Sequence, residues 1–156
     1  MDPPELGRLR QSVIYFDTSY LAKCYLVEVG AAAVRQFASG QERIACSSFG
    51  RVELTAAFHR KLREGEINRA EFAVLLKQLA LDDSHGLWTW LPMTPQLLSA
   101  TATRFATLPG DCFVRSADAL HLTCASERGC SSIFSNDKHL LRAAVHFGIQ
   151  AENVIV

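Results

Sequence analysis

Short apolar runs rich in strand formers alternate along this chain with longer segments whose apolar residues recur at helical spacing. Val13 to Phe16 reads as a first strand, and Asp17-Thr18-Ser19 after it suits a helix start. Helical segments follow over Tyr20 to Leu26 and Ala31 to Phe37, and Ile44 to Cys46 reads as the second strand. From Ser48 the positions Phe49, Val52, Leu54, Ala57, Phe58 and Leu62 mark a helix that Gly65 stops, and Asn68 caps the next one. Leu87 to Leu91 is a third strand-like run, Thr94-Pro95 opens a helix to Leu108, and Arg115 to Arg128 forms another. Ser131 to Ser135, a helix over Asp137 to Phe147, and a strand over Asn153 to Val156 complete the pattern.

Strands separated by helices pair in parallel, because a parallel neighbour needs a long crossover whereas a tight turn suffices for an antiparallel one. The expected fold is α/β, a three-layer α/β/α sandwich around a mainly parallel sheet. With 156 residues, about half of them apolar, one domain over 1–156 is expected, with residues 1–11 as a loose N-terminal extension.

No apolar run is long enough for a membrane helix, and nothing near Met1 resembles a signal peptide, so a soluble, cytoplasmic protein is expected. Five cysteines without a C-x-x-C pair read as reduced thiols. Sixteen basic residues balance sixteen acidic ones, so any phosphate-binding surface must be local.

In open parallel sheets, sites form beyond the carboxyl ends of strands, where Asp17 and Asp137 stand. Either one alone reads equally well as a helix cap. Glu53, between Val52 and Leu54, and Asp118, between Ala117 and Ala119, are carboxylates in apolar surroundings that normally call for a partner. Four carboxylates drawn together repel one another unless protons or a divalent cation neutralise them. All-oxygen ligands suit Mg²⁺ or Mn²⁺, and paired metals support in-line displacement at a phosphodiester.

The segments Tyr15-Phe16-Asp17-Thr18-Ser19-Tyr20-Leu21-Ala22-Lys23, Arg51-Val52-Glu53-Leu54-Thr55-Ala56-Ala57, Ser116-Ala117-Asp118-Ala119-Leu120-His121-Leu122 and Ser135-Asn136-Asp137 together resemble PIN domains, and more narrowly VapC-type toxins of type II toxin–antitoxin systems. The resemblance runs from about Val13 to Val156 in the family's motif order. It implies a metal-dependent endoribonuclease in which Asp17, Glu53, Asp118 and Asp137 are the catalytic, metal-binding acids and Ser19 supports the first of them. Ser135 stands where such domains often carry threonine, and its hydroxyl is the shared feature. The resemblance also implies a homodimer, an RNA substrate, and a cognate antitoxin protein that can insert a basic side chain among the acids.

Arg60, Lys61 and Arg63, beside His59, form a positive cluster that reads either as a phosphate contact or as a solvated helix end. Arg115 and His121 lie one helical turn from Asp118, where they could face RNA or make local ion pairs. Trp88 and Trp90 read as packing residues rather than a base-stacking platform. Two other functions compete: a non-catalytic PIN-like RNA-binding or scaffold module, and a phosphoaspartyl-type phosphatase. The latter usually needs a second Asp where this chain has Ser19.

Overall fold

Among the described residues the first element is β1 (Val13–Phe16), followed by α1 (Thr18–Lys23), α2 (Ala31–Ser39) and β2 (Arg43–Ser47). A helical pair, α3 (Ser48–Arg63) and α4 (Arg69–Ser84), leads to β3 (Trp88–Leu91). Then come α5 (Pro95–Thr107), α6 (Ser116–Glu127), β4 (Ile133–Phe134), α7 (Lys138–Ala143), a 3-10 turn (Ala144–Phe147) and β5 (Ala151–Glu152). This computed structural model describes residues 12–156, so the extension expected over 1–11 lies outside the described residues.

All four strand pairings are parallel, and the order across the sheet is β3-β2-β1-β4-β5. The α/β sandwich expected from the alternation is thus present, with helices flanking one parallel sheet. The central strands are continuous apolar runs because both faces are covered: Tyr15 and Phe16 of β1, and Ala45 and Cys46 of β2, have no exposed surface. Phe16 packs edge-on against Tyr20 and Phe134 and stacks on Phe37, which ties β1, α1, α2 and β4 into one core.

Local signals set the element boundaries. Ser47 caps α3 by accepting from Phe49 N–H, and Asn68 and Glu71 close a reciprocal capping box at the start of α4. Thr94 caps α5, with Pro95 in its first turn. The tryptophans serve packing as expected: Trp88 is buried and donates to Tyr25 Oη at 2.6 Å, and Trp90 donates to Asp83 at 2.7 Å.

The C-terminal region departs from expectation. The last strand is Ala151–Glu152, not Asn153 to Val156, because Asn153 turns its side chain to accept from Tyr20 Oη at 2.6 Å and from Ile155 N–H at 3.0 Å. Val154 N–H donates to the same tyrosine oxygen, so this backbone is spent on α1 rather than on a sheet edge. The helix expected over Asp137 to Phe147 divides: Asp137 is its cap, α7 ends at Ala143, and a 3-10 turn continues to Phe147. The strand expected over Ser131 to Ser135 contracts to Ile133–Phe134, and the first helix is Thr18–Lys23 rather than Tyr20 to Leu26. Among the described residues, no helix is long and apolar enough to cross a membrane.

Candidate active site

The connection leaving β1 runs to β2 on one side, while the connection leaving β4 runs to β5 on the other. Such a reversal between adjacent strands opens a crevice at their carboxyl ends. Asp17 stands directly after β1 and Asp137 three residues after the end of β4. Glu53 on α3 and Asp118 in the first turn of α6 reach the same crevice, and the four acids line one cleft of about 400 Å³. The sequence-based grouping of residues from four distant segments is therefore realised in space.

Asp17 is nearly buried and fully engaged on one oxygen. Its Oδ1 accepts from Ser19 Oγ at 2.7 Å and from Tyr20 N–H at 3.0 Å, while Oδ2 accepts from Ser135 Oγ at 2.5 Å. Burial pushes this carboxyl above its ordinary range, against the opposing pull of those three donors. Ser135 has no exposed surface, and its oxygen also accepts from Asp137 N–H at 2.9 Å. One hydroxyl thus couples the first acid to the fourth.

Asp137 caps α7, with Oδ1 accepting from His139 N–H at 2.8 Å and Leu140 N–H at 3.3 Å. The cap reading and the cleft reading both hold for this residue, on different oxygens. Its Oδ2 lies 3.4 Å from Arg115 Nη2, and Arg115 Nε lies 3.7 Å from Asp118 Oδ2. Burial, and then the charge of Asp137, push the Asp118 carboxyl up, with Arg115 opposing.

Glu53 is held differently. Its Oε1 accepts from Thr18 Oγ1 at 2.9 Å and meets His121 Nε2 at 2.5 Å. Burial works against the Glu53 charge, but the hydrogen bond and charge of His121 outweigh it and hold this carboxyl below its ordinary range. Burial likewise pulls His121 down, yet Cys46 and Glu53 beside it prevail and raise the imidazole to about 10. Val52 beside Glu53 is exposed while Leu54 is buried, so Glu53 sits on the helix flank where core meets cleft.

The family model for the PIN domain matches residues 14–145. This chain belongs to the PIN domain family. Three solved structures of PIN-like fold resemble it. FitAcB from Neisseria gonorrhoeae is 15% identical, with TM-score 0.73, covering 90% of this chain and 97% of that one. VapC20 of Mycobacterium tuberculosis, described as a sarcin-ricin loop cleaving toxin, is 14% identical, with TM-score 0.66 over 83% and 94%. VapBC2 from Rickettsia felis, bound to a fragment of promoter DNA, is 13% identical, with TM-score 0.60 over 90% and 98%. No curated protein matches the chain.

In this PIN domain the donor set suits a hard divalent cation. Glu53 commits Oε1 to neighbouring donors, Asp17 accepts two hydrogen bonds on Oδ1 and one on Oδ2, Asp137 accepts amides on Oδ1 and meets Arg115 on Oδ2, and among the described residues Asp118 meets only the guanidinium. Among the described residues, no three such side chains already close on one point. Arg115 supplies the positive charge between Asp118 and Asp137 instead. The residues fit the cation in chemistry, four carboxylates on one cleft being the hard oxygen donors it prefers.

The basic cluster divides on the surface of α3. Arg60 lines the acidic cleft, Lys61 pairs with Glu66 at 2.7 Å, and Arg63 is exposed away from the cleft lining. The helical period turns Lys61 roughly 100° away from Arg60, while Arg63 lies nearly a turn further along, at the end of the helix. Arg115 does face the cleft. His121 is almost fully buried and engaged on both ring nitrogens, so it is not the RNA contact that its spacing from Asp118 allowed. Sequence reasoning missed Tyr15, Thr18 and Glu28, of which the last two line the cleft. A tyrosine inside a buried strand, whose hydroxyl must find a partner, was the available signal for Tyr15.

Proposed function

We propose that this PIN domain is a metal-dependent endoribonuclease and the toxin of a toxin–antitoxin pair. The observation that carries the reading is the convergence of Asp17, Glu53, Asp118 and Asp137 on one cleft at the sheet's switch point. Mg²⁺, with Mn²⁺ as a substitute, would be held by these four acids, and when bound it supplies a polarised water and charge stabilisation at phosphorus. The protein's part is orientation. Ser19 and Ser135 fix Asp17, the α7 amides fix Asp137, and Thr18 and His121 fix Glu53. Arg60 and Arg115 line the same cleft and offer the phosphate backbone positive charge that the neutral chain otherwise lacks. Lys61 and Arg63 extend that charge along the RNA outside the cleft.

The toxin assignment draws on the fold shared with VapC20 and VapBC2. On this reading the protein is a cytoplasmic homodimer restrained by a cognate antitoxin, and a structured ribosomal stem-loop is the first RNA to test. Cleavage of that RNA by purified protein should require Mg²⁺ or Mn²⁺ and disappear in Asp17→Asn and Asp118→Asn. RNA binding with no cleavage under any metal would favour the non-catalytic module, and a phosphate covalently bound to Asp17 would favour the phosphoaspartyl enzyme.

A further inference from the structure

Glu53 differs from the other acids in what stands behind it. Thr18 Oγ1 and His121 Nε2 both approach Oε1, which fills the two acceptor positions of that oxygen. Among the described residues, no donor reaches Oε2. The second ring nitrogen of His121, Nδ1, meets the Tyr15 hydroxyl at 2.6 Å. That hydroxyl also accepts from Ser47 N–H at 2.8 Å, and Ser47 is the cap of α3, the helix bearing Glu53. One buried phenol therefore joins the start of α3 to the ring that grips a side chain further along the same helix.

The carboxylate fixes one of these directions: Glu53 Oε1 can only accept, so Nε2 carries a proton whether the ring is neutral or charged. Nδ1 then accepts from the Tyr15 hydroxyl in the neutral ring and donates to it in the charged one. In either form the nitrogen facing Glu53 is a donor. The packing here is close: a Cβ on Gly50 would overlap Cys46 Sγ, and would stand 3.4 Å from His121 Cε1 and 3.5 Å from Thr18 Oγ1. Glycine at that position leaves room for the Cys46 thiol, with the ring at ordinary contact distance.

We propose that His121, backed by Tyr15, is the positioning residue that makes Glu53 present a single oxygen, Oε2, to a divalent cation in the cleft. The proposal rests on the reading of that cleft as a metal site. A carboxylate restricted to one oxygen suits the octahedral demands of Mg²⁺ or Mn²⁺ better than Ca²⁺, which readily takes carboxylates through both oxygens. Partners of this kind typically change metal affinity by about 10- to 100-fold when removed.

Titrating Mn²⁺ and, separately, Ca²⁺ into the purified full chain, with thermal unfolding followed alongside, tests this. His121→Ala should weaken Mn²⁺ binding roughly 10- to 100-fold and lower the ratio of Mn²⁺ to Ca²⁺ affinity. His121→Gln, which returns a donor near the Nε2 position, should recover most of both. Tyr15→Phe keeps the ring packing and should move both readouts the same way by a smaller factor, which carries the test if His121→Ala unfolds. In a Glu53→Gln background, His121→Ala should cost nothing further. Unchanged Mn²⁺ affinity in folded Tyr15→Phe and His121→Ala overturns the role of His121, as does an equal loss in the Glu53→Gln background. A wild-type chain that binds no Mn²⁺ sinks the metal reading and the proposal with it, an outcome separate from the other two.

Discussion

Asp17 and Glu53 reach the cleft through buried hydroxyl and imidazole donors, whereas Asp118 and Asp137 meet there beside the exposed guanidinium of Arg115. The first pair is held by short bonds from Thr18 and Ser19 at the start of α1, Ser135 directly after β4, and His121 on α6. The second pair is spanned by longer contacts to a side chain that is two-thirds exposed. A rigid half and an adjustable half make different contributions: the former sets geometry in advance, and the latter can exchange one positive charge for another.

The largest effect expected from that division is on catalysis. Asp17→Asn should reduce RNA cleavage by about a thousandfold, the equivalent of several kcal/mol of metal-borne charge stabilisation. Single-turnover cleavage measures it, and a variant within a few-fold of wild type would remove Asp17 from the machinery.

Ser135→Ala attacks the joint between the two halves. It strips a donor from Asp17 Oδ2 and an acceptor from Asp137 N–H, so cleavage should fall about 10- to 100-fold. Denaturant unfolding should show about 1–3 kcal/mol of lost stability, from groups left unpaired. Ser135→Thr keeps the hydroxyl and should stay close to wild type in both measurements.

Arg115→Ala probes the adjustable half. Removing an exposed competitor from Asp118 and Asp137 should tighten Mn²⁺ binding by up to about fivefold, the range of an exposed ion pair. The KM for RNA should rise in the same variant if the released guanidinium contacts phosphate. Calorimetric titration that finds weaker Mn²⁺ binding would show Arg115 organising the acids instead.

The smallest effect concerns charge in the metal-free fold. Burial and Asp137 raise the Asp118 carboxyl, so its contribution to stability is complete below its unfolded value of about 4 and is lost as pH rises through the raised folded value. Asp118→Asn should therefore melt about 1–3 °C above wild type at neutral pH without metal, with the gap closing toward pH 4. His121, raised from 6.5 to about 10, contributes fully below its ordinary value and loses that contribution as pH rises from there toward 10. Scanning calorimetry at several pH values would expose a reversed trend.

Much of this was legible before any coordinates because it is local. The runs at Val13 to Phe16 and Trp88 to Leu91, the Asn68 cap and the Thr94-Pro95 start follow from nearest neighbours in sequence. Asp17 and Asp137 were each open to a cap reading, and both do cap, with Oδ1, while the other oxygen meets Ser135 in Asp17 and Arg115 in Asp137. What the sequence hid depends on distant partners. Asn153 ends a strand by meeting Tyr20, and His121 leaves the RNA-facing surface because Tyr15 and Glu53 hold both of its nitrogens. The basic cluster on α3 was open to two readings, and the structure divides it, with Arg60 on the cleft and Lys61 paired to Glu66.

The pairing of β1 with β4 also has a temporal side. Strands that touch in the sheet are far apart along the chain, and the Ser135 hydroxyl that locks Asp17 arrives only with the later one. During synthesis, a nascent polypeptide extended as far as α6 already contains three of the four acids, yet it has no strand to lay beside β1 on that side. The fourth acid, and the hydroxyl that locks the first, thus join the cleft only once this late segment docks.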